Sequence, residues 1–395
     1  MIAFGLGLSL GACATTLPEP PPAHRNHAWV AFDTQRIRAS GAWGLADRAT
    51  RRRVTIDDPA HIASISKLVV ALGVMRLVEQ RRLDLDADVS HWLGWELRNP
   101  AFPDAPISLR MLLSHRSGLK DDIDYAVPLG GELRGAIAAP EAFDPAHRPG
   151  SYFRYANLGF PVIATVMEQA TGERFDRLME RLVLEPLGLD ACFNWPGCSD
   201  AAVARAVVLY HPDGNVLRDD LRGRRPPCPV VAAADGSCDW QPYRPGANGA
   251  LFSPQGGLRI SIRDLATIGQ LLLNRGRHQG VAFLSEASVQ ALMTPQWRDD
   301  GGNGDIEDGF YCSYGLAVQL LAQPGCPDDL FGDGTAALGH AGDAYGLRSG
   351  LWVDPRTGTG IAYFATGVAD DAPRGRTPYR AVEEWLATRA RSAGR

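Results

Sequence analysis

Lysine is almost absent from this 395-residue chain. Of 40 lysine and arginine residues, only Lys67 and Lys120 are lysine. Arginine stays protonated in proteins, whereas a buried lysine can lose its proton near neutral pH. A chain that uses arginine wherever it needs positive charge, yet places a lysine at the head of the apolar run "KLVVALGVM", indicates a site that requires a titratable amine.

The sequence lacks the usual signs of metal binding and of nucleic-acid binding. No CxxC and no HExxH spacing occurs among the 7 cysteines and 9 histidines, so we expect no metal site, and no organic cofactor either. The formal net charge of −5 gives no basic footprint for nucleic acid. With 45% hydrophobic and 22% charged residues, the composition is that of a globular protein with a sizeable core.

The N-terminal apolar stretch, residues 2–12, is too short to span a bilayer as a helix. It fits the hydrophobic region of a signal peptide, although the basic start is missing. "LGAC", Leu10 to Cys13, is similar to a bacterial lipobox, in which the cysteine is lipidated; the alternative is a plain secretory signal. We expect a signal peptide with a lipobox at 1–13, a Pro-rich tether at 14–26, and a monomer exported to the periplasm, with membrane contact only through this lipid anchor.

Cysteine usage also favours export. Six cysteines follow Cys13, and an even number in an exported chain is expected to form disulfides. Sequence proximity favours three sequential pairs over the other connectivities. These pairs are Cys192 with Cys198, Cys228 with Cys238, and Cys312 with Cys326.

Hydrophobic periodicity predicts strands near both ends of the chain and helices between them. Strands are expected at 28–34, 37–43, 348–353 and 360–366, and helices at about 65–81, 107–119, 157–172, 175–189, 261–276 and 381–390. The acidic stretch 299–309 is interpreted as a solvated loop, because position 12 of a calcium loop would be Phe310. The order predicts an α/β (α+β) fold: an α/β part from about 27–62 and 335–395, and a mostly helical part inserted at 63–334.

Ser64 and Lys67 stand three apart at the start of the predicted buried helix. Residues i and i+3 share one helix face, so the hydroxyl and the amine can point into the same cleft. Serine is a weak nucleophile until a base takes its proton, and a lysine whose pKa is lowered by burial can be that base. Lys120 lies in a second S-x-x-K, "SGLK", but at a glycine turn where we expect it to be exposed.

Two further motifs follow in order. "YAN", Tyr155 to Asn157, is the only place where one of the eight asparagines has Tyr or Ser two residues before it. "HAG", His340 to Gly342, immediately precedes the C-terminal hairpin. The ordered set S-x-x-K, [YS]-x-N and [KH]-x-G resembles the serine β-lactamase and penicillin-binding-protein superfamily, in its class C-like branch of β-lactamases, D-Ala-D-Ala carboxypeptidases, D-aminopeptidases and esterases.

The resemblance covers about residues 28–390 and implies a role for each motif residue. Ser64 would be the acylated nucleophile, and Lys67 with Tyr155 the paired general base, the cation lowering the pKa of the phenol. Asn157 would bind Lys67 and the acyl side of the substrate. The remaining residues would line the substrate and oxyanion sites. These are His340, Gly342 and, through its backbone N–H, Asp343.

The resemblance also implies the fold, an antiparallel sheet flanked by helices, and a serine hydrolase acting on small ester, amide or peptide substrates. Three functions stay open: an esterase or D-amino-acid amidase, a β-lactamase or D-Ala-D-Ala carboxypeptidase, and a non-catalytic cell-wall module. The third motif is neither K-T-G nor H-T-G, and Ala341 has no hydroxyl for a substrate carboxylate. We therefore expect the first function.

Overall fold

The computed structural model describes residues 24–395, so Cys13 and the predicted signal peptide lie outside the described residues. The chain has a mixed α/β architecture with the following strands. They are β1 (Asn26–Asp33), β2 (Ile37–Asp47), β3 (Arg52–Arg53), β4 (Ala60–His61), β5 (Cys192–Phe193), β6 (Leu209–Tyr210), β7 (Val216–Arg218), β8 (Leu258–Ile260), β9 (Arg277–His278), β10 (Val281–Ala282), β11 (Trp297–Arg298), β12 (Ser313–Tyr314), β13 (Gln319–Leu320), β14 (Leu338–Ala344), β15 (Leu347–Asp354) and β16 (Thr359–Thr366).

The helices occupy mainly the middle of the chain. They are α1 (Ile65–Glu79), α2 (Ser90–Leu93), α3 (Leu109–Leu113), α4 (Leu133–Ile137), α5 (Gly159–Thr171), α6 (Phe175–Met179), α7 (Asp200–Arg205), α8 (Ile262–Leu273), α9 (Glu286–Met293) and α10 (Ala381–Gly394), with a 3₁₀ turn at Pro140–Ala142 and a π-helical turn at Glu180–Leu184.

The main sheet has nine strands in the order β11-β12-β13-β14-β15-β16-β1-β2-β3, and the pairs in it are antiparallel. β1, from the start of the described chain, pairs with β16 near its end, with Asn26 opposite Thr366. Strands from both ends of the chain therefore meet in the middle of one sheet, which confirms the predicted fold class.

The central strand β1 is buried on both faces. Val30 and Phe32 join the large core cluster that contains α1 and α8, whereas Trp29 and Ala31 join the second cluster with α10. Successive side chains of a strand point to opposite faces, so a strand covered on both sides is apolar at nearly every position, as "AWVAF" is. This packing holds the sheet rigid behind α1, the helix that begins next to Ser64.

The prediction for the middle of the chain is less accurate. The short strands β11, β12 and β13 lie within the part predicted to be helical and extend the sheet past β14. The helix expected at 107–119 spans only Leu109–Leu113, because His115 and Gly118 have positive φ angles of 54° and 77° that end it. The division into two structural parts with the stated boundaries stays a prediction.

The three disulfides join the cysteines in sequence order, as expected. They link Cys192 to Cys198, Cys228 to Cys238, and Cys312 to Cys326. Three disulfides indicate an oxidising, exported environment. Among the helices of residues 24–395, none combines the length and the apolarity that a bilayer crossing requires.

Candidate active site

The residue before Ser64 turns the chain sharply from β4 into α1. Ala63 has φ of 50°, in the left-handed region that residues with a Cβ seldom adopt. Its carbonyl accepts hydrogen bonds from the N–H and the Oγ of Ser66, at 3.0 and 2.7 Å. Ser66 in turn accepts from the N–H of Leu258 at 3.1 Å. The turn is thereby fixed from two sides, and Ser64 is partly exposed at the helix start.

Lys67 lies inside the protein with 0% of its surface exposed. Its Nζ donates to the Oγ of Ser64 at 2.9 Å, to the Oδ1 of Asn157 at 2.8 Å and to the carbonyl of Gln255 at 2.8 Å. Burial lowers the pKa of this amine to about 7, and Asp121 opposes the shift. A neutral fraction of Lys67 thus exists near neutral pH, within hydrogen-bond distance of the predicted nucleophile.

Asn157 is held by a residue that the sequence did not single out. One carboxylate, that of Asp121, accepts from the N–H of Asn157 at 2.8 Å, from its Nδ2 at 3.0 Å and from the N–H of Leu158 at 2.9 Å. Because the Nδ2 donates to Asp121, the Oδ1 is turned towards Lys67. In the sequence Asp121 is the first of two aspartates that follow Lys120, and no motif points to its role. That lysine is only 20% exposed and pairs with Asp122 at 2.6 Å.

Tyr155 lies beside Lys67, but not as the resemblance implied. The Nζ of Lys67 is 4.9 Å from the centre of the Tyr155 ring, over its face. The Tyr155 hydroxyl is buried and has no hydrogen-bond partner among residues 24–395, although those of Ser64 and Tyr311 are near. Burial raises the pKa of Tyr155, so the expected lowering by the cation is wrong for this geometry. Two neighbouring rings fix its position: that of Tyr311 is stacked on it at 4.8 Å between ring centres, and that of His115 is tilted against it at 4.2 Å.

His340 is buried and neutral rather than a cationic substitute for lysine. Burial and the charge of Lys67 lower its pKa to about 3. Its Nδ1 lies 2.5 Å from the carbonyl of Ala341, which can only accept, so Nδ1 carries the proton. Its Nε2 therefore accepts from the hydroxyl of Tyr314 at 2.7 Å. Both ring nitrogens of His340 are consequently engaged in hydrogen bonds within the protein, next to the cleft.

Gly342 permits a close approach of β14 to the nucleophile turn. A Cβ at this position would lie 2.4 Å from the carbonyl oxygen of Ile62 and 2.2 Å from the Oγ of Ser349. That Oγ donates to the same Ile62 carbonyl at 2.9 Å. The strand thus passes directly beside the residues before Ser64. The next residue of this strand is Asp343, whose N–H was predicted to be the second oxyanion donor.

Asp343 and Arg348 stand opposite each other in the β14–β15 register and form an ion pair. The Asp343 side chain is 58% exposed, whereas that of Arg348 is 9% exposed. The sequence left open which face of the strand Arg348 occupies. Both residues line the cleft beside the third motif, so the charge of Asp343 there is matched by a buried guanidinium.

The cleft has a volume of about 630 Å³ and collects five of the predicted residues: Ser64, Tyr155, Asn157, Gly342 and Asp343. Lys67 and His340 lie behind it. Its other lining residues come mainly from two loops that the sequence did not assign to the site. They are Asp305, Glu307, Asp308, Phe310, Tyr311, Arg374, Pro378, Arg380 and Glu383, with Ala341 and Arg348 from the strands. The stretch 299–309, interpreted as a solvated loop, therefore contributes a wall of the cleft.

Comparisons with known proteins agree with this geometry. The model of the family described as Beta-lactamase matches residues 22–384. The chain is 30% identical to Esterase EstB of Burkholderia gladioli over 72% of each chain. It is 23% identical to a D-aminopeptidase of Brucella canis over 84% of this chain and 54% of that protein, so it spans about half the length of the latter.

A solved structure supports the fold. The D-amino acid amidase from Ochrobactrum anthropi SV3 superposes with a TM-score of 0.64 at 19% identity, covering 94% of each chain. The match of the family model over most of the chain, with the shared fold and the ordered motifs, leads to one conclusion: this chain belongs to the beta-lactamase family of serine hydrolases.

Proposed function

We propose that this protein is a serine hydrolase of the esterase or D-amino-acid amidase type, which forms an acyl-enzyme at Ser64 on ester or amide substrates. The observation that carries the proposal is the buried Lys67 amine, 2.9 Å from the Ser64 hydroxyl with a pKa of about 7. A base with its pKa near the working pH is most effective in proton transfer. The 30% identity to an esterase over 72% of each chain supports the ester-cleaving form.

In acylation, neutral Lys67 takes the proton of Ser64 while the Oγ attacks the substrate carbonyl carbon. The carbonyl oxygen becomes an oxyanion, for which the N–H groups of Ser64 and Asp343 are the proposed donors. As the tetrahedral intermediate collapses, the leaving alkoxide or amine must receive a proton. The Lys67 ammonium returns it, directly or by way of the Tyr155 hydroxyl, which has no hydrogen-bond partner within residues 24–395.

In deacylation, water attacks the Ser64 ester and Lys67 again accepts the proton. When the second tetrahedral intermediate collapses, the bond between Ser64 Oγ and the acyl carbon breaks, the carboxylic acid is released, and the Lys67 ammonium returns its proton to Ser64. This cycle needs one base that is neutral before each attack and cationic after it. Lys67 meets this requirement. Burial lowers its pKa, so the neutral amine can form, and the charge of Asp121 acts in the opposite direction, so the ammonium can form as well.

A substrate panel tests the proposal. Purified protein is assayed with short-chain p-nitrophenyl esters, D-amino-acid p-nitroanilides, nitrocefin and a D-Ala-D-Ala peptide. We expect neutral esters and amides to be turned over far better than nitrocefin or the peptide. Efficient nitrocefin or peptide hydrolysis would favour the β-lactamase or carboxypeptidase alternative, and no turnover with no adduct on Ser64 would favour a non-catalytic module.

We also propose that the protein is a periplasmic lipoprotein monomer anchored through Cys13. The oxidised cysteines support export in general, and "LGAC" supports lipidation in particular. Mass spectrometry of the N-terminal peptide of envelope-extracted protein tests this. A diacylated Cys13 is expected, and an unmodified N-terminus further along the chain would leave secretion alone.

A further inference from the structure

Arg348 is a buried cation at the substrate cleft. It is 7% exposed as a residue and lines the cleft on the side of the third motif. Its Nε is buried and has no hydrogen-bond partner within the described part of the chain. A guanidinium presents its N–H groups as a rigid fork that suits a carboxylate. Arg348 therefore lines the cleft with a guanidinium whose donors are not all used by the described residues.

The carboxylate of Asp343 pairs with the guanidinium of Arg348 and is the more exposed of the two groups. The two residues face each other across β14 and β15 and form an ion pair, with the Asp343 side chain 58% exposed to the cleft. The other charged groups that act on Arg348 are Glu383, Arg380 and Asp370. A substrate carboxylate approaching Arg348 would meet the like charge of Asp343 first, and repulsion between like charges in a partly dry site is costly.

We propose that Asp343 and Arg348 form a charge filter, in which Asp343 masks a latent anion site on Arg348 and restricts the enzyme to substrates without a carboxylate on the leaving group. The inference rests on the proposed hydrolase function and adds its substrate class. Removing the charge of Asp343 leaves Arg348 free to bind a carboxylate. Substrates with a carboxylate, which the wild-type charge of Asp343 repels, are then expected to bind.

The experiment compares two acetate esters of similar shape, the anionic 4-acetoxybenzoate and the neutral 4-acetoxybenzamide. The readout is the ratio of their kcat/KM values, in which differences in enzyme concentration cancel. In Asp343→Asn we expect this anionic-to-neutral ratio to rise at least about tenfold over wild type, as removal of a like charge predicts. In Asp343→Asn with Arg348→Gln the gain should be lost, because the latent site is gone.

Glu141→Gln is the matched control, since Glu141 is exposed and does not line the cleft. It removes one negative charge from the whole protein and should leave the ratio unchanged. An unchanged ratio in Asp343→Asn overturns the filter. A gain that persists in full in a folded double variant overturns the role of Arg348.

A ligand-binding measurement tests the anion site on Arg348 independently of the proposed hydrolase activity. In Ser64→Ala background, 4-hydroxybenzoate should raise the melting temperature only when Asp343 is also changed to Asn, whereas 4-hydroxybenzamide should not distinguish the two proteins. This readout needs no turnover. If neither ester is hydrolysed by wild type, the proposed function fails, and the thermal shift still decides whether Asp343 masks an anion site on Arg348.

Discussion

The Nζ of Lys67 lies 2.9 Å from the Oγ of Ser64, at a position where none of the lysine side chain reaches solvent. Burial lowers the pKa of the amine to about 7. The presence of a lysine at this position, in a chain that otherwise uses arginine, thus has a physical reason. An amine can be neutral before proton transfer and cationic after it, whereas a guanidinium stays cationic throughout.

Lys67→Arg should reduce kcat on a p-nitrophenyl ester by about a thousandfold or more, although it preserves the positive charge. Members of one catalytic unit typically show losses of this size. Steady-state kinetics check this, with Lys120→Arg as the control. Lys120 belongs to the second S-x-x-K and pairs with Asp122 at 2.6 Å, so that variant should retain wild-type kcat. A Lys67→Arg variant with more than about a tenth of wild-type kcat is incompatible with the general-base role.

The pH profile of kcat/KM should rise with a slope of one through an apparent pKa of about 7. The free enzyme is active when Lys67 is neutral, and the neutral fraction grows as pH increases. The histidines next to Lys67 do not produce this limb, because burial and the lysine charge lower the pKa of His340 to about 3 and that of His115 well below its usual value. A profile that is flat from pH 5.5 to 8.5 would speak against a titrating Lys67.

Asp121→Asn should lower kcat/KM about 10- to 100-fold at pH 8, because the carboxylate that orients Asn157 loses part of its hydrogen-bond capacity. The variant should also move the acidic limb to lower pH. Asp121 raises the pKa of Lys67, so its removal lets that pKa fall further.

The shift of the limb distinguishes this positioning role from a general loss of folded protein, which would lower activity equally at every pH. Asp122→Asn is the adjacent control and should leave the limb in place. A limb that moves to higher pH in Asp121→Asn contradicts the electrostatic part of the account.

The Cys312–Cys326 disulfide should stabilise the wall of the cleft. It encloses a segment with a sequence separation of 14 next to Tyr311, and closing a loop of this length stabilises a fold by about 3 kcal/mol in the chain-entropy picture. Replacing both cysteines with serine should lower the melting temperature and raise KM more than it lowers kcat. The Cys228–Cys238 pair offers the control, since no residue from 228 to 238 lines the cleft, whereas Tyr311, the neighbour of Cys312, does. Equal effects on KM from both changes would argue against a role for Cys312–Cys326 in shaping the site.

The sequence predicted the parts of the site that are local in the chain. Ser64 and Lys67 share a helix turn, and Gly342 was predicted to line the substrate site, where its strand does pass close to the residues before Ser64. Asp121 escaped attention because its partner Asn157 is 36 residues away, and nothing in "LKDD" distinguishes it from Asp122. The ion pair of Asp343 with Arg348 depends on the register between β14 and β15, which no motif in the sequence determines.

The errors have the same origin. The acidic segment 299–309 has the composition of a solvated loop, yet its last residues line the cleft because β11 and β12 on either side of it pair in the main sheet. The Lys67 cation was predicted to lower the pKa of Tyr155, whereas the structure places the amine 4.9 Å from the ring centre, over its face, and burial raises that pKa. Burial and direction of approach are tertiary properties, and single motifs do not encode them.

The most direct test of the central claim is the mass of the protein quenched in acid during turnover of p-nitrophenyl butyrate. The account predicts a butyryl adduct on the peptide that contains Ser64, present in wild type and absent in Ser64→Ala, with p-nitrophenol released in a burst at least as large as the adduct. Turnover that continues in Ser64→Ala, or an adduct on another residue that accounts for the burst, would contradict it.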